Sequence, residues 1–296
     1  MNKLYFSILA FITYNIVNAQ QTPVFSEYHN NPLIINSAFT GLKSNAELSL
    51  SANGFMSDIE GSPIDAKLTY NMPIEKTNMG IGGGIIYDRI GVSNINSFFL
   101  SYSYHISFDH KSYRPDWDMY KENVLSFGIS VGGQMFQENL LELNHTEDPH
   151  FDENIATFRP NVGAGILLNN KKFYLGLSAT NLLDLSDAKK DKVDFESPFF
   201  GYLGFRFYTD RFEKSSFKPS VLVKYVEGAP IQTDFNMAFN YDNKFEIGAG
   251  YRTQNQINFL VGLFVKEKFK FVYQYQHALL VSPFKSGHGI ILNYGF

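Results

Sequence analysis

The chain has 296 residues with no cysteine, 18 Tyr, 29 Phe and 23 Gly, and a formal net charge of −4. The missing thiols exclude a disulfide framework, a thiolate metal site, a cysteine nucleophile and a lipoprotein anchor, and the weak charge leaves no footprint for nucleic acid. An aromatic and glycine load of this kind suits an outer-membrane β-barrel with interfacial girdles, and the absence of linkers and low-complexity tracts reads as one domain.

At the start of the chain, Met1-Asn2-Lys3 supplies one positive charge, Leu4 to Val17 is an apolar run, and Val17-Asn18-Ala19 offers cleavage-type residues. Residues 1–19 are therefore predicted to be a signal peptide, with the mature chain beginning at Gln20. The run is too short to span ~30 Å of hydrocarbon and is interrupted by Asn15, and no later stretch approaches the ~18 uninterrupted apolar residues of a membrane helix. An exported chain of this kind enters a membrane only as a closed barrel. Residues 20–296 are predicted to form that single outer-membrane barrel. It opens with a short segment, 20–44, rich in Asn, Pro and aromatic residues, that plugs the lumen or contacts a partner.

Beyond this segment, alternation at period two marks fourteen candidate strands, near 45–55, 64–72, 79–88, 95–107, 123–136, 160–169, 172–182, 198–208, 217–226, 231–241, 244–253, 257–266, 268–276 and 287–296. In the clearest, Ile64, Ala66, Leu68, Tyr70 and Met72 alternate with Asp65, Lys67, Thr69 and Asn71. Most are long enough for a tilted strand to cross the hydrocarbon, and none repeats at 3.6 as an amphipathic helix would. An even count suits a single-chain antiparallel barrel with both termini in the periplasm. If the first strand runs outward, tight polar turns at Asn169-Asn170-Lys171, Asp242-Asn243-Lys244 and Lys266-Glu267-Lys268 fall inside. The long segments Gln137 to Arg159 and Leu183 to Ser197 then fall outside. Phe108 to Glu122, with the only tryptophan, Trp117, is the one long connection expected on the periplasmic side. The last strand ends Ile290, Leu292, Tyr294, Phe296, apolar at every second position with a terminal aromatic, as in the closing strand of an outer-membrane barrel. A soluble edge strand can show the same alternation, and the rest of the chain decides for the barrel.

Catalytic chemistry is thin. Among the seven histidines, His105 lies on an inward strand face and His145 and His150 in an outer loop, with no nucleophile, base and carboxylate brought together by the sequence. The acidic loop Glu147 to Glu153 lacks the spaced ligands and central glycine of a calcium loop. The sets Gly80 to Gly84 and Gly163 to Gly165 lie within alternating strands with no helix after them, so they read as places of curvature and close packing rather than phosphate loops. No cofactor, metal or enzymatic activity is expected. Inward positions are predicted to carry Glu47, Asp65, Lys67, Arg206, Lys224, Asp234, Glu246 and Arg252. Their mixed signs favour an ion-paired filling of the lumen over a selective pore, which needs rings of like charge.

The segment Gln20 to Tyr28, followed by Asn31-Pro32-Leu33-Ile34-Ile35-Asn36-Ser37-Ala38-Phe39-Thr40-Gly41, resembles the opening of the PorP/SprF family of Bacteroidetes outer-membrane proteins. Similar stretches follow along nearly the whole chain. They include Gly61-Ser62-Pro63, Asp88-Arg89-Ile90-Gly91, Arg159-Pro160-Asn161-Val162-Gly163, Phe173-Tyr174-Leu175-Gly176-Leu177, Thr180-Asn181-Leu182, Lys218-Pro219-Ser220, the set Gln232, Asp234, Asn236, and Gly250-Tyr251-Arg252. The chain departs at Ser286-Gly287-His288-Gly289, where the family more often shows Gly-Ser-His-Glu, and at Ser37, usually Pro. The resemblance implies a component of the type IX secretion system, linked in some members to gliding motility. It also implies export or surface attachment of a large adhesin bearing a C-terminal sorting domain, and contact with periplasmic secretion and motility components.

Partner contacts are expected from outer-membrane lipid, from Tyr28, Asn31 and Pro32 in the opening segment, and from Tyr113, Trp117 and Tyr120 in the long inner connection, whose aromatics are types enriched at interface hot spots. A lumen plug and an interfacial aromatic anchor are the plainer accounts of the same residues. Three other readings stand beside the secretion one: a passive solute channel, which needs a continuous wet lumen; a barrel enzyme, which needs a rim dyad; and a soluble extracytoplasmic β protein.

Overall fold

A computed structural model describes residues 25–55, 61–108, 123–143, 153–182, 197–209, 214–253, 255–266, 268–279 and 286–296. The expected signal peptide, residues 20–24, and Tyr113, Trp117, Tyr120, His145 and His150 lie outside these residues. The chain opens with a six-residue helix, α1 (Phe25–Asn30), and two 3-10 turns, Pro32–Ile34 and Ser37–Phe39. Fourteen antiparallel strands follow. They are β1 (Glu47–Phe55), β2 (Ile64–Pro73), β3 (Met79–Ile90), β4 (Ser93–Ser107), β5 (Val124–Glu138), β6 (Ile155–Asn169), β7 (Phe173–Ala179) and β8 (Phe199–Phe205). Next come β9 (Ser215–Tyr225), β10 (Gln232–Tyr241), β11 (Phe245–Arg252), β12 (Gln256–Val265), β13 (Phe269–Ala278) and β14 (Ser286–Gly295). Past an interruption at Arg206, β8 resumes for Phe207–Tyr208, which pair with Phe217 and Ser216 of β9.

Each strand pairs with its neighbour in sequence, and β14 pairs with β1, Glu47 against Gly295 and Leu50 against Leu292, so the sheet closes with no free lateral edge at the seam. Closure is what lipid requires, because an unpaired backbone group in hydrocarbon costs several kcal/mol. The expected count of fourteen and the barrel class hold. Strand ends differ: β6 begins at Ile155 rather than Pro160 and β7 stops at Ala179 rather than Leu182. Pro160 sits inside β6, outward and opposite Gly133, so a residue that reads as a strand boundary is absorbed where the lipid face needs only bulk.

Period two sorts the residues. In β1 and β2 burial alternates with the pleat: Ser49, Ser51, Asn53, Asp65, Lys67, Thr69 and Asn71 are buried, while Leu48, Leu50, Leu68 and Tyr70 are exposed outward. The exposed apolar side chains form the lipid face of the wall. Both ends of the closed wall, Glu47 and Gly295, lie at one end of the barrel, called here the near end. A ring cluster marks it: Phe269 packs on Tyr294 at 4.6 Å, Tyr294 on Phe296 at 4.8 Å, and Phe296 against Tyr70 at 6.0 Å. Among the near-end connections, Tyr241 to Lys244 is a tight hairpin with positive φ at Asp242 (50°) and Asn243 (45°), the geometry that suits the strands' right-handed twist. Among the described residues, no helix is long and apolar enough to cross a membrane.

Candidate functional site: the filled lumen

Residues 26–42 lie inside the barrel, and nearly all are buried. Their backbone-to-backbone hydrogen bonds run within the segment, from Asn31 N to Glu27 O through Leu42 N to Phe39 O. The wall holds the segment by side chains instead. Ile35, Ala38, Phe39 and Leu42 pack in one core with Val124 of β5, Leu167 of β6, Tyr174 of β7, Phe200 and Tyr202 of β8 and Leu222 of β9. Ala238, Leu260, Val272 and Ile291 continue that belt through β10 and β12–β14. On β1–β4 the belt gives way to small polar residues that bond the segment: Asn31 donates to Thr69 at 2.8 Å, Thr40 to Ser101 at 3.0 Å, and Ser103 to the carbonyl of Thr40.

Glycines on inward faces make room for it. A Cβ at Gly128 would fall 2.2 Å from the carbonyl carbon of Ser37, and one at Gly80 would fall 2.4 Å from the carbonyl oxygen of Thr40. Any side chain at these positions would push the segment off the wall. At Gly165 the visitor is the Asn36 side chain, whose amide also donates to the carbonyl of Ile166 at 3.2 Å.

Three charge clusters fix the helix. Glu27 accepts from Lys67 at 2.5 Å, Asn53 at 2.7 Å and Ser51 at 3.3 Å. Lys67 also pairs with Asp65, which accepts from Asn53 at 3.0 Å. In the second cluster Asp234 takes a two-point contact from Arg252, Nε to Oδ1 and Nη2 to Oδ2, both at 2.8 Å. The Tyr28 hydroxyl donates to Asp234 at 3.2 Å and accepts from Asn236 at 2.6 Å. In the third, Glu246 meets Lys270 at 2.7 Å, Lys218 at 3.5 Å and His29 at 3.3 Å. Each carboxylate is buried, and such groups are tolerated in a low-dielectric interior only when paired and hydrogen-bonded.

Two groups of the helix, which lies apart from the strands, have displaced pKa values. Burial, reinforced by Asp234, pushes the Tyr28 hydroxyl well above its ordinary value, so it stays a donor. Burial lowers His29 below its ordinary value despite the opposing pull of Glu246. The His29–Glu246 contact is thus a hydrogen bond from a neutral ring, although its length alone would allow an ion pair.

Of the predicted inward charges, Asp65, Lys67, Asp234, Glu246 and Arg252 converge on this segment. Glu47 pairs with Lys43 where the segment leaves the lumen. Arg206 lies at the near rim, donating to Asn170 O at 2.8 Å and Asn169 Oδ1 at 3.0 Å with its guanidinium 4.7 Å over the Tyr174 ring. Lys224 is half-buried on the inward phase of β9. Tyr28 and Asn31 are buried at 0% and 5% exposure, and Pro32 is buried beside them. The sequence pattern does not single out Glu27 and His29. Their partners lie on strands distant in the chain, and only the run of polar residues from Ser26 to Asn31 hinted at a polar wall. His105, buried, contacts Ser126 at 2.7 Å and Ser103 at 3.2 Å, beneath the segment's Thr40. Among the described residues, no three His, Asp or Glu side chains gather to hold a metal ion.

Solved structures share the architecture. The CymD monoaromatic hydrocarbon channel matches with TM-score 0.55 and 11% identity over 93% of this chain and 94% of its own. The toluene transporter TodX of P. putida matches with TM-score 0.54 and 9% identity over 90% and 93%. Outer membrane protein Omp33 of Acinetobacter baumannii matches with TM-score 0.50 and 8% identity over 87% and 100%. At such identities the likeness is one of fold, that of a closed antiparallel β-barrel. No curated protein sequence matches the chain. The model of the type IX secretion system membrane proteins PorP/SprF covers residues 17–294, nearly the whole chain, and this barrel of the outer membrane belongs to that family.

Proposed function

We propose that this type IX secretion barrel is a non-conducting dock: it holds a secreted client, a large adhesin or its C-terminal sorting domain, at the cell surface and joins it to periplasmic components beneath. The observation that carries the reading is the occupied lumen. Residues 26–42 lie in the bore, held by an apolar belt and three ion-paired clusters, an arrangement that favours a rigid platform over solute flow. In this reading the near end faces the periplasm, which the three-residue turns 170–172, 242–244 and 266–268 support against the long far connections 139–154 and 180–198. The far end also has the short turns 91–92 and 253–255, so loop length alone does not decide the orientation. Tyr28, Asn31 and Pro32 serve here by holding the segment in the bore, and would meet a partner only if it were drawn out. Contacts below the membrane fall to the connection carrying Tyr113, Trp117 and Tyr120.

In planar bilayers the purified protein should show no steady conductance. Deleting the gene should cost the cell one adhesin or a defined secreted set. Trp117→Ala with Tyr120→Ala should leave insertion intact and release co-purifying partners. Tags at His150 or Ser186 should be reachable on intact cells and tags at Asn170 or Asn243 shielded; reversed labelling would overturn the orientation. Normal surface adhesins with failed growth on a small nutrient would sink the docking reading in favour of a channel.

A further inference from the structure

The segment meets the barrel on two different arcs. Hydrogen bonds and glycine seats hold residues 35–40 on β3–β7. Thr40 sits against Gly80, Ser101 and Ser103, Ser37 against Gly128 and Asn36 against Gly165, and the carbonyl of Ile35 accepts from Ser178 at 2.6 Å. Helix α1 meets the other arc. Glu27 reaches β1 and β2, Tyr28 reaches β10 and His29 reaches β11. Asn293 of β14 donates to Asn30 O at 3.3 Å, and β12 and β14 pack directly on the helix. Tyr28 also crosses toward β8, its ring 6.0 Å from that of Tyr202. Asn31 joins two hydrogen-bonded units, α1 closed by Asn31 N to Glu27 O at 2.7 Å and the turn whose Ile35 and Asn36 amides bond to Pro32 O.

The seat of α1 contains groups that its docking leaves unsatisfied. Ser26 Oγ, Asn30 Oδ1, Asn236 Oδ1, Gln274 Oε1 and both polar atoms of the Asn258 side chain are buried without a hydrogen-bond partner. Asn236 bonds Tyr28, and Gln274 bonds Asn53, itself a partner of Glu27, so these wall groups border the helix. Each gains water when α1 lifts, which favours the undocked state.

The third charge cluster supplies a trigger. His29 Nε2 and Lys270 Nζ lie on the same oxygen, Glu246 Oε1, at 3.3 and 2.7 Å, while Lys218 lies 3.5 Å from Oε2. With the ring neutral, two ammonium groups already hold one carboxylate. Strands β12 and β14 present no ionisable side chain inward. A proton on His29 would therefore stand within about 6 Å of the Lys270 charge, beside a carboxylate already compensated. Burial holds the docked ring below the ordinary histidine value, so acid favours the state in which the ring reaches water.

We propose that α1 is an acid-released latch: a proton on His29 lifts the helix off its arc, while residues 35–40 stay wedged against β3–β7. The proposal is independent of the docking reading. The chain has no cysteine, so a single introduced thiol reports alone. Ser26 and Ser37 are both buried with hydroxyls that have no partner, so Ser26→Cys and Ser37→Cys lose no hydrogen bond. Each thiol is reacted with dithiodipyridine, which titrates thiols in acid as well as at neutral pH, in the barrel refolded in lipid vesicles. Rates are taken relative to Lys244→Cys at an exposed turn. From about pH 7.5 to about pH 5 the Ser26→Cys rate should rise about tenfold, the factor that one unit of displaced pKa supplies. Ser37→Cys should stay protected. His29→Gln, which keeps a donor for Glu246 and takes up no proton, should abolish the rise. Lys218→Met, which lets a charged ring replace the lysine beside Glu246, should reduce it. A rise that survives His29→Gln would assign release to the carboxylates and overturn the latch. So would a joint rise at both thiols, which would mean that the whole segment leaves, or no rise at either.

Discussion

Replacing Lys67 by Met removes the cation shared by Glu27 and Asp65 and leaves both buried carboxylates without it, beside the neutral donors Asn53 and Ser51. Lys67 and Glu27 are 8% and 2% exposed at their side chains, so water cannot take over the lost contacts. Breaking a buried pair by removing one partner costs about 3–5 kcal/mol, a shift of about two to four powers of ten in the folding equilibrium. The penalty has a ceiling. If it exceeds the free energy that docks residues 26–42, the segment leaves the lumen, and further loss stops there. Urea unfolding in a fixed lipid, followed by circular dichroism, reads the global cost. Bilayer conductance together with proteolysis near Glu27 reads segment release. The triple variant Glu27→Gln/Asp65→Asn/Lys67→Met removes the charges together and should recover most of the loss, because paired neutralisation leaves no bare charge behind. A single variant within about 1 kcal/mol of wild type, the range of a solvent-exposed pair, with no conductance would refute the reasoning. So would a triple variant as unstable as the single one.

Gly128→Val should unseat the segment at Ser37 and destabilise the barrel by about 1–3 kcal/mol or more, the scale of overpacking. The outward Gly201→Val, where a Cβ meets only Leu177 at 3.7 Å, should be tolerated, and paired unfolding curves compare them. Because burial lowers the pKa of His29, the unfolded chain binds a proton that the folded one does not as pH falls below the ordinary histidine value of 6.5. The stabilisation due to neutral His29 is therefore full above that pH and is lost as pH falls from there toward the lowered folded value. His29→Gln should flatten this part of the stability profile, and an unchanged slope would count against a buried neutral ring. Deleting Phe296 or changing it to Asp should reduce outer-membrane levels, checked by fractionation. Since Phe296 is 56% exposed at the near girdle, a large effect would reflect insertion rather than lost packing.

The wall was legible because lipid and lumen impose opposite demands on successive residues, and period two records both. Even the inward placement of Asp65 and Lys67 follows from the alternation in β2 alone. Less visible were features that depend on what lies across the barrel. The interruption of β8 at Arg206 leaves the alternation intact, and there the guanidinium meets Asn169, Asn170 and Tyr174, partners that it reaches only after folding. Gly80 and Gly165 read as places of close packing, yet nothing local names Thr40 and Asn36 as the visitors. The same limit hid the partners of Glu27 and His29, which lie on β1, β2 and β11. Segment 20–44 stood out by composition, but composition has no register, and a 3-10 turn leaves no period to read.

What sets this lumen apart from a charged pore is the way the segment is attached. Its backbone-to-backbone hydrogen bonds run within the segment, and the wall meets its backbone through side chains such as Ser103 on Thr40 O, whereas every strand of the wall depends on its neighbours through the ladder. Removing the segment would break no wall pairing, only side-chain contacts and an apolar belt. It behaves as a ligand that the chain supplies to itself, at the high effective concentration that covalent attachment gives. A ligand in cis can match a wall of mixed sign, residue against residue, Glu27 to Lys67, Tyr28 to Asp234 and Asn31 to Thr69. A diffusing solute would meet the same groups already paired. The mixed signs that argue against a selectivity ring are therefore the complement of a particular peptide, and Asp65, Lys67, Asp234, Glu246 and Arg252 are best understood as its binding site.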